Sequence, residues 1–323
     1  MDKQAFRRAR RTAAVLAGAL VVAACGSAQS GTAAAPGASA ATRTLTDAAG
    51  RTVNVPAAPH AVVALSEPTL DAALALGIQP VGTTAGRGQN GVATYLAAKA
   101  EKAQVVATVA EPDLEKLATL RPDLILLDET VGAKRVLDKL QAIAPTVLTA
   151  KLNADWRTAF TVTADALGKS SQAQTWLTDF DASVASAKTK LGANAGATVS
   201  VIRWQNGAPS VVGKGVGHVG STLSALGLGR PADQQGASSG HSEPVSLEKL
   251  DTIDGDWMFF GTLGDKTVGQ QAYEEAAKVP NFTELGAAKK GHVVVVEGSA
   301  WNSAGGPLAA QTVLDDITRA LAG

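Results

Sequence analysis

The chain has 323 residues, 46% of them hydrophobic, with 29 basic and 29 acidic side chains. This length is sufficient for two domains of ordinary size. The balanced charge, without a basic run beyond residue 24, argues against a nucleic-acid-binding protein.

The first 24 residues have the pattern of an export signal. Five basic residues at positions 3–11 precede an apolar run at 13–24, which is too short to span a bilayer as a stable helix. The run ends in Val-Ala-Ala directly before Cys25, the only cysteine of the chain, and this arrangement resembles a lipobox. The sequence predicts that residues 1–24 are removed and that acylated Cys25 holds the protein on the outer face of the cytoplasmic membrane. A disulfide within the chain is excluded, because a lone cysteine has no partner.

Residues 25–42 are predicted to form a flexible tether, since they consist almost entirely of Ala, Gly, Ser, Thr, Gln and Pro. The rest of the chain divides into an N-terminal lobe at 43–169, a connecting helix at 170–192 and a C-terminal lobe at 193–323. Loss of five basic residues and one acidic residue with the leader leaves 24 basic and 28 acidic side chains, so the mature protein is mildly acidic.

The N-terminal lobe alternates short apolar runs with amphipathic stretches. The runs predict strands at 62–65, 80–82, 105–106, 124–127 and 146–148, and the stretches predict helices at 68–76, 112–120 and 133–143. Uninterrupted apolar strands separated by helices indicate a parallel sheet covered on both faces, the α/β arrangement.

A long helix is predicted at about 171–191. Its apolar residues recur at three- and four-residue intervals without Gly or Pro, and Gly192 follows as a stop signal. A second α/β series comes next, with strands at 199–202, 211–212, 257–260 and 293–296 and helices at 221–226, 246–253 and 307–321.

The two series share a short internal repeat. Residues 113–130 (DLEKLATLRPDLILLDET) and 246–263 (SLEKLDTIDGDWMFFGTL) match at six of eighteen positions. We interpret the repeat as two α/β lobes of common architecture.

Four segments resemble those of a known family, the substrate-binding proteins of ABC importers for ferric siderophores, haem and cobalamin. They are HAVVALSEPTLDAALALGIQPVGTT at 60–84, PDLEKLATLRPDLILLDE at 112–129, LQAIAPTV at 140–147 and AWNSAGGPLAA at 300–310. The resemblance covers nearly all of the mature chain. It implies two α/β lobes joined by a single long helix, a ligand cleft between the lobes, and a monomer that delivers its ligand to a membrane permease.

Ligands of open α/β sheets bind beyond the carboxyl ends of parallel strands. This rule gives the candidate ligand-binding residues Glu67, Arg87, Arg203, Trp204, His218, Trp301 and Asn302, and Arg230 is added as a further guanidinium candidate. Guanidinium groups suit the carboxylate, hydroxamate or catecholate oxygens of a ferric siderophore, and indole rings suit its apolar parts. The alternative for each arginine is a solvated surface charge, and for Trp204 it is ordinary packing. Trp156, Trp176 and Trp257 are interpreted as core residues.

A ferric siderophore is therefore the predicted ligand, with haem or cobalamin as alternatives on the same scaffold. The four histidines are scattered, so no bare-metal site and no further cofactor are predicted. An exported hydrolase is the alternative from another class. The sequence has no Ser-x-x-Lys motif with suitable partners and no recognisable acid–base pair, so we expect a protein that is not an enzyme.

The resemblance also implies an acidic residue on each lobe that docks the permease. Asp71, six residues before Gly77, matches that position in the first lobe. Ser221 stands at the corresponding place before Gly227 and cannot supply the charge.

Overall fold

The computed structural model describes residues 41–108, 110–129, 132–215, 217–236 and 240–323. The predicted leader and the predicted lipidation site, Cys25, lie outside these residues, as does nearly all of the predicted tether. Within the described ranges, no helix combines the length and the apolar composition that crossing a membrane requires.

The first lobe is built on a parallel sheet. After an antiparallel hairpin of β1 (Thr42–Thr46) and β2 (Thr52–Pro56), the sheet strands are β3 (Val62–Ala64), β4 (Gly82–Thr84), β5 (Gln104–Ala107), β6 (Leu124–Leu127) and β7 (Thr146–Leu148). They lie side by side in the order β5-β4-β3-β6-β7 and are all parallel. Every residue of β6 is fully buried, as expected of a strand covered on both faces.

Helices connect and cover these strands. They are α1 (Glu67–Ala75), α2 (Thr94–Ala97), α3 (Leu114–Thr119), α4 (Leu137–Gln141) and α5 (Trp156–Ala166). Helix α1 starts directly after β3 because Ser66 caps it. The Ser66 hydroxyl accepts a hydrogen bond from the Thr69 backbone N–H while the Thr69 hydroxyl accepts one from the Ser66 backbone N–H. Pro68 in the first turn fits the same helix start.

The long helix α6 (Ser170–Lys190) lies between the two sheets in the chain order. Trp176 packs against the apolar cores of both lobes, and Phe180 and Val184 belong to the core of the second. The Trp176 and Phe180 rings stack with their centroids 5.3 Å apart. The helix is therefore fixed to each lobe by buried apolar contacts.

The second lobe contains a four-stranded sheet. Its strands are β8 (Val199–Gln205), β9 (Ala208–Val211), β10 (Trp257–Gly261) and β11 (Val293–Val295), in the order β11-β10-β8-β9. Strands β8, β10 and β11 are parallel, whereas β9 pairs antiparallel with β8. The turn between β8 and β9 is Asn206-Gly207, with φ of 53° and 79°, the conformation that a tight hairpin requires. Helices α7 (His218–Leu226), α8 (Lys266–Ala276), α9 (Gly286–Lys289), α10 (Gly298–Trp301) and α11 (Pro307–Leu321) complete the lobe.

The internal repeat occupies equivalent places in the two sheets. In each lobe the repeated segment forms a helical turn followed by a strand, β6 or β10, that runs parallel to the first strand of its sheet. The helical turn is α3 in the first lobe but a 3₁₀ helix, Leu247–Ile253, in the second, where Lys249 departs from helical geometry. The fold is thus α/β, with two lobes of similar construction.

Candidate functional site

A cavity of about 420 Å³ lies where the carboxyl ends of the two sheets face each other. In the first sheet the chain order changes direction at β3, and in the second it changes direction at β8. At such a switch point the loops that follow two neighbouring strands run in opposite directions, and a crevice forms between them. The cavity volume is within the range of small-molecule sites.

Two guanidinium groups enter the cavity from opposite lobes. Arg87 follows β4, and Arg203 lies near the end of β8. Arg203 is 5% exposed, and its Nε is buried without a hydrogen-bond partner among the described residues. Burial lowers the pKa of the Arg203 guanidinium, and the nearby positive charge of Arg87 lowers it further. An anion placed between the two groups would relieve both effects.

Other charged side chains at the cavity add to its preference for an anion. Lys151 and Lys214 also line it. Glu129 accepts hydrogen bonds from the Lys134 ammonium (2.5 Å) and the Leu152 backbone N–H (3.0 Å), and the ammonium holds its pKa below the usual range. Asp128 accepts a hydrogen bond from the Ser66 hydroxyl at 2.9 Å. The cavity therefore has four cations and two acids that already have protein partners, so it favours an anionic molecule.

Three more predicted residues lie at the cavity wall. His218 is 5% exposed, with its Nε2 2.6 Å from the Ala300 carbonyl oxygen, and burial lowers its pKa to about 4, so the ring is neutral near pH 7. Trp301 stacks on Phe259 and donates from Nε1 to the Asp316 carboxylate at 3.0 Å. The Asn302 amide donates to the Thr262 carbonyl, while its Oδ1 is buried without a partner among the described residues.

Glu67 lies behind Arg87 and is not part of the cavity lining. Its Oε1 accepts a hydrogen bond from the Arg87 backbone N–H at 2.9 Å, and its Oε2 accepts one from the Ser303 hydroxyl. Burial raises the pKa of this carboxyl group, although the hydrogen bonds from Ser303 and Arg87 and the charge of Arg87 lower it. The predicted role of Glu67 as a ligand contact is corrected here, since the carboxylate is occupied by protein donors.

Trp204 and Arg230 also lie away from the cavity, which corrects their prediction as ligand contacts. Side chains alternate between the faces of a strand, so the neighbours Arg203 and Trp204 point to opposite sides of β8. Trp204 packs in the core, with its ring 5.9 Å from Phe260. Arg230 donates to the carbonyl oxygens of Val212 (2.8 Å) and Gly213 (2.9 Å), so it stabilises the loop that contributes these two residues to the cavity wall.

Asp71 cannot offer its carboxylate to a partner protein in this structure, because it is fully buried. It accepts hydrogen bonds from the Tyr95 hydroxyl and from the backbone N–H groups of Gly306, Leu308 and Ala309, at 2.7–3.1 Å. Burial raises its pKa to about 6 despite these donors. The predicted docking role is therefore corrected to a structural one at the start of α11.

Sequence reasoning missed several residues of the cavity wall. Lys151 and Leu152 follow β7, so the strand-end rule would have found them had it been applied to that strand. Trp156 was interpreted as core, and it is 5% exposed, yet it also lines the cavity and donates from Nε1 to the Ser221 hydroxyl at 2.9 Å. Within the described ranges, no cluster of three or more His, Cys, Asp and Glu side chains is placed to hold a metal ion.

Comparisons with known proteins identify the family of this chain. Residues 62–300 match the periplasmic binding protein family. A probable siderophore-binding lipoprotein of Bacillus subtilis, YfiY, is 32% identical over 85% of this chain and 86% of its own. The Fe(3+)-citrate-binding protein YfmC of the same organism is 26% identical over 94% of both chains.

A solved structure has the same fold. Staphylococcus aureus SirA complexed with staphyloferrin B matches with a TM-score of 0.73 and 24% identity, covering 87% of this chain and 98% of that one. Together, the family match over most of the chain and the relative with 32% identity establish that this chain belongs to the periplasmic binding protein family.

Proposed function

We propose that this protein is the extracytoplasmic substrate-binding component of an ABC importer, and that its cavity holds an anionic ferric chelate of the siderophore class. The names of its relatives support this class, since they include binding proteins for siderophores and for ferric citrate. The protein sits on the membrane through a lipid at Cys25, delivers the chelate to the permease and leaves it chemically unchanged.

The observation that carries the proposal is the pair of arginines, Arg87 and Arg203, on opposite walls of the cavity. Citrate-type and catecholate chelates of Fe(3+) present negatively charged oxygens at their surface. A guanidinium meets such oxygens with paired donors, and a buried one gains more from the contact than an exposed one. The chelate fills the coordination sphere of the iron, so the protein has to recognise oxygens and carbon rather than the metal.

Intrinsic fluorescence tests the proposal, because Trp156 and Trp301 line the cavity. The protein is titrated with ferric citrate, a ferric tris-catecholate, the trihydroxamate ferrioxamine B, haem, cobalamin and free Fe(3+), Zn(2+) and Mn(2+). We expect saturable quenching with at least one anionic ferric chelate. Free N-acetyltryptophanamide titrated with the same ferric chelate serves as the control for light absorption by the chelate.

Recovery of the ligand tests the claim of binding without conversion. After incubation and denaturation of the protein, the chelate should be recovered with an unchanged mass. Tight binding of a bare metal ion without a response to any chelate, or a hydrolysed chelate, would contradict the proposed function.

A further inference from the structure

The buried carboxylate of Glu67 joins two parts of the cavity wall. One oxygen receives the Arg87 backbone N–H, and the other receives the Ser303 hydroxyl. Arg87 lies on the loop after β4 of the first lobe. Ser303 lies in the crossing segment, residues 302–309, which runs from α10 of the second lobe to the start of α11. A single side chain therefore connects a loop from one lobe to a segment from the other.

Asp71 holds the same crossing segment from the next turn of α1. It accepts the backbone N–H groups of Gly306, Leu308 and Ala309, and residues four apart lie on the same face of a helix. At the other end of the segment, Asn302 is tied to the Thr262 carbonyl at the end of β10. The crossing segment is thus held by both lobes, with Glu67 at the point where it passes the cavity.

The carboxylate of Glu67 lies in the first turn of α1, where a helix N-terminus favours a negative charge, but burial works against its ionised form. Glu67 is 5% exposed, and the charged or titratable groups that act on it are Arg87 from the loop after β4, Asp128 after β6 and Tyr95 of α2. The negative charge of Asp128 and burial both penalise the ionised form of Glu67. The two donors that Glu67 receives both belong to residues of the cavity wall.

We propose, resting on the function proposed above, that Glu67 is a positioning residue of the binding site. It holds the Arg87 loop and Ser303 in a fixed arrangement, so that the Arg87 guanidinium stands opposite Arg203 before the chelate enters. Preorganised charged groups bind more tightly because they do not have to be ordered during binding. Glu67 acts through Arg87 and Ser303 and does not touch the ligand.

Two substitutions separate this role from a general loss of structure. Glu67→Ala removes both acceptors, whereas Glu67→Gln keeps a carbonyl oxygen for the Arg87 N–H and offers an amide to the Ser303 hydroxyl. Loss of two buried hydrogen bonds predicts that Glu67→Ala weakens binding of ferric citrate, or of the tightest chelate of the panel, by about tenfold or more. Glu67→Gln should restore affinity to within about threefold of the wild type.

Asp47→Asn is the matched control. Asp47 is a 4% exposed acid that accepts backbone N–H groups from Ala49, Arg51 and Leu148, but it is not part of the cavity lining. Its substitution should lower the melting temperature and leave affinity unchanged. Ser303→Ala combined with Glu67→Ala should cost less affinity than the two single changes added together, because both remove the same link.

Hydrogen exchange gives a readout that needs no ligand. In ligand-free protein, Glu67→Ala should speed exchange at the Arg87 amide and within residues 303–309, and Glu67→Gln should restore protection. Folded Glu67→Ala that binds like the wild type would overturn the inference, as would Glu67→Gln that binds as weakly as Glu67→Ala or more tightly than the wild type. If the wild type binds no chelate, the proposed function fails, and unchanged exchange at these amides would separately refute the link.

Discussion

Replacement of Arg203 by Met should change affinity and stability in opposite directions. Arg203 is 5% exposed, its Nε has no partner among the described residues, and Arg87 repels it. Methionine keeps much of the apolar stem and removes the charge. An unpaired buried polar group costs about 1–3 kcal/mol, so we expect the ligand-free variant to be more stable by about 1 kcal/mol, or about 2 °C in melting temperature. Residues that serve binding at the expense of stability show this trade-off.

The same change should weaken binding strongly. A charge-assisted hydrogen bond to a chelate oxygen contributes about 2–3 kcal/mol, so the dissociation constant for the chelate should rise roughly 30- to 150-fold. The assays are calorimetric titration with ferric citrate, or with the tightest chelate of the panel, and thermal unfolding without ligand. Arg43→Met is the control, since Arg43 pairs with Asp165 at 3.2 Å and does not line the cavity. An Arg203→Met protein that binds like the wild type, or that is less stable without ligand, would refute the reasoning.

Three further predictions concern stability, pH and anchoring. Trp204→Ala should lower the free energy of unfolding by about 3–5 kcal/mol through loss of core packing, while titration of the folded protein finds affinity unchanged; a tenfold loss of affinity would return Trp204 to the site. The pKa of His218 is about 4 in the folded protein and about 6.5 in the unfolded chain. Between these two pH values only the unfolded chain binds the proton, so acidification lowers the free energy of unfolding by about 3 kcal/mol. Asp71, with a folded pKa of about 6, acts with the opposite sign over about pH 3.8–6. Urea unfolding of His218→Gln should show stability rising on acidification relative to the wild type, because the variant lacks the His218 penalty, and parallel pH curves would contradict the His218 assignment. Cys25→Ala should release the protein from the membrane fraction, and a variant that stays membrane-bound with unchanged mobility would contradict lipidation.

The sheet order follows from the sequence where apolar runs are continuous. Strands β6 and β7 and helix α11 have the predicted bounds, because a run such as Leu124–Leu127 is compatible only with burial on both faces. The hairpin β1–β2 was missed, although Leu45, Val53 and Val55 alternate with exposed residues as in a half-buried strand pair. The helix predicted at 133–143 is instead a 3₁₀ turn, Gly132–Val136, followed by the short α4.

Helix α5 was also missed, although its signals are present. Asp155 caps it by accepting backbone N–H groups at the first turn, and Trp156, Phe160 and Ala164 recur every four residues on its buried face. Helix α8 has a similar start, where Asp265 accepts the Val268 N–H. These two helices were within reach of the same reasoning that found the others.

The position of the cavity was predictable, but the direction of individual side chains was not. The strand-end rule brought Arg87, Arg203 and Trp301 to the cavity wall. In a strand buried on both faces, the pattern of apolar residues does not reveal which neighbour faces the ligand, so Arg203 and Trp204 could not be separated. The burial of Asp71 depends on residues 306–309, more than 230 positions later in the chain, a contact that local patterns do not contain.

The most direct test of the account is the position of iron in a crystal of the protein with its bound ferric chelate, located by anomalous scattering. We predict an iron site in the cavity between Arg87 and Arg203, with both guanidinium groups in contact with chelate oxygens and no protein atom bound to the metal. Iron ligated by side chains of the protein, or a chelate bound away from these two arginines, would contradict the account.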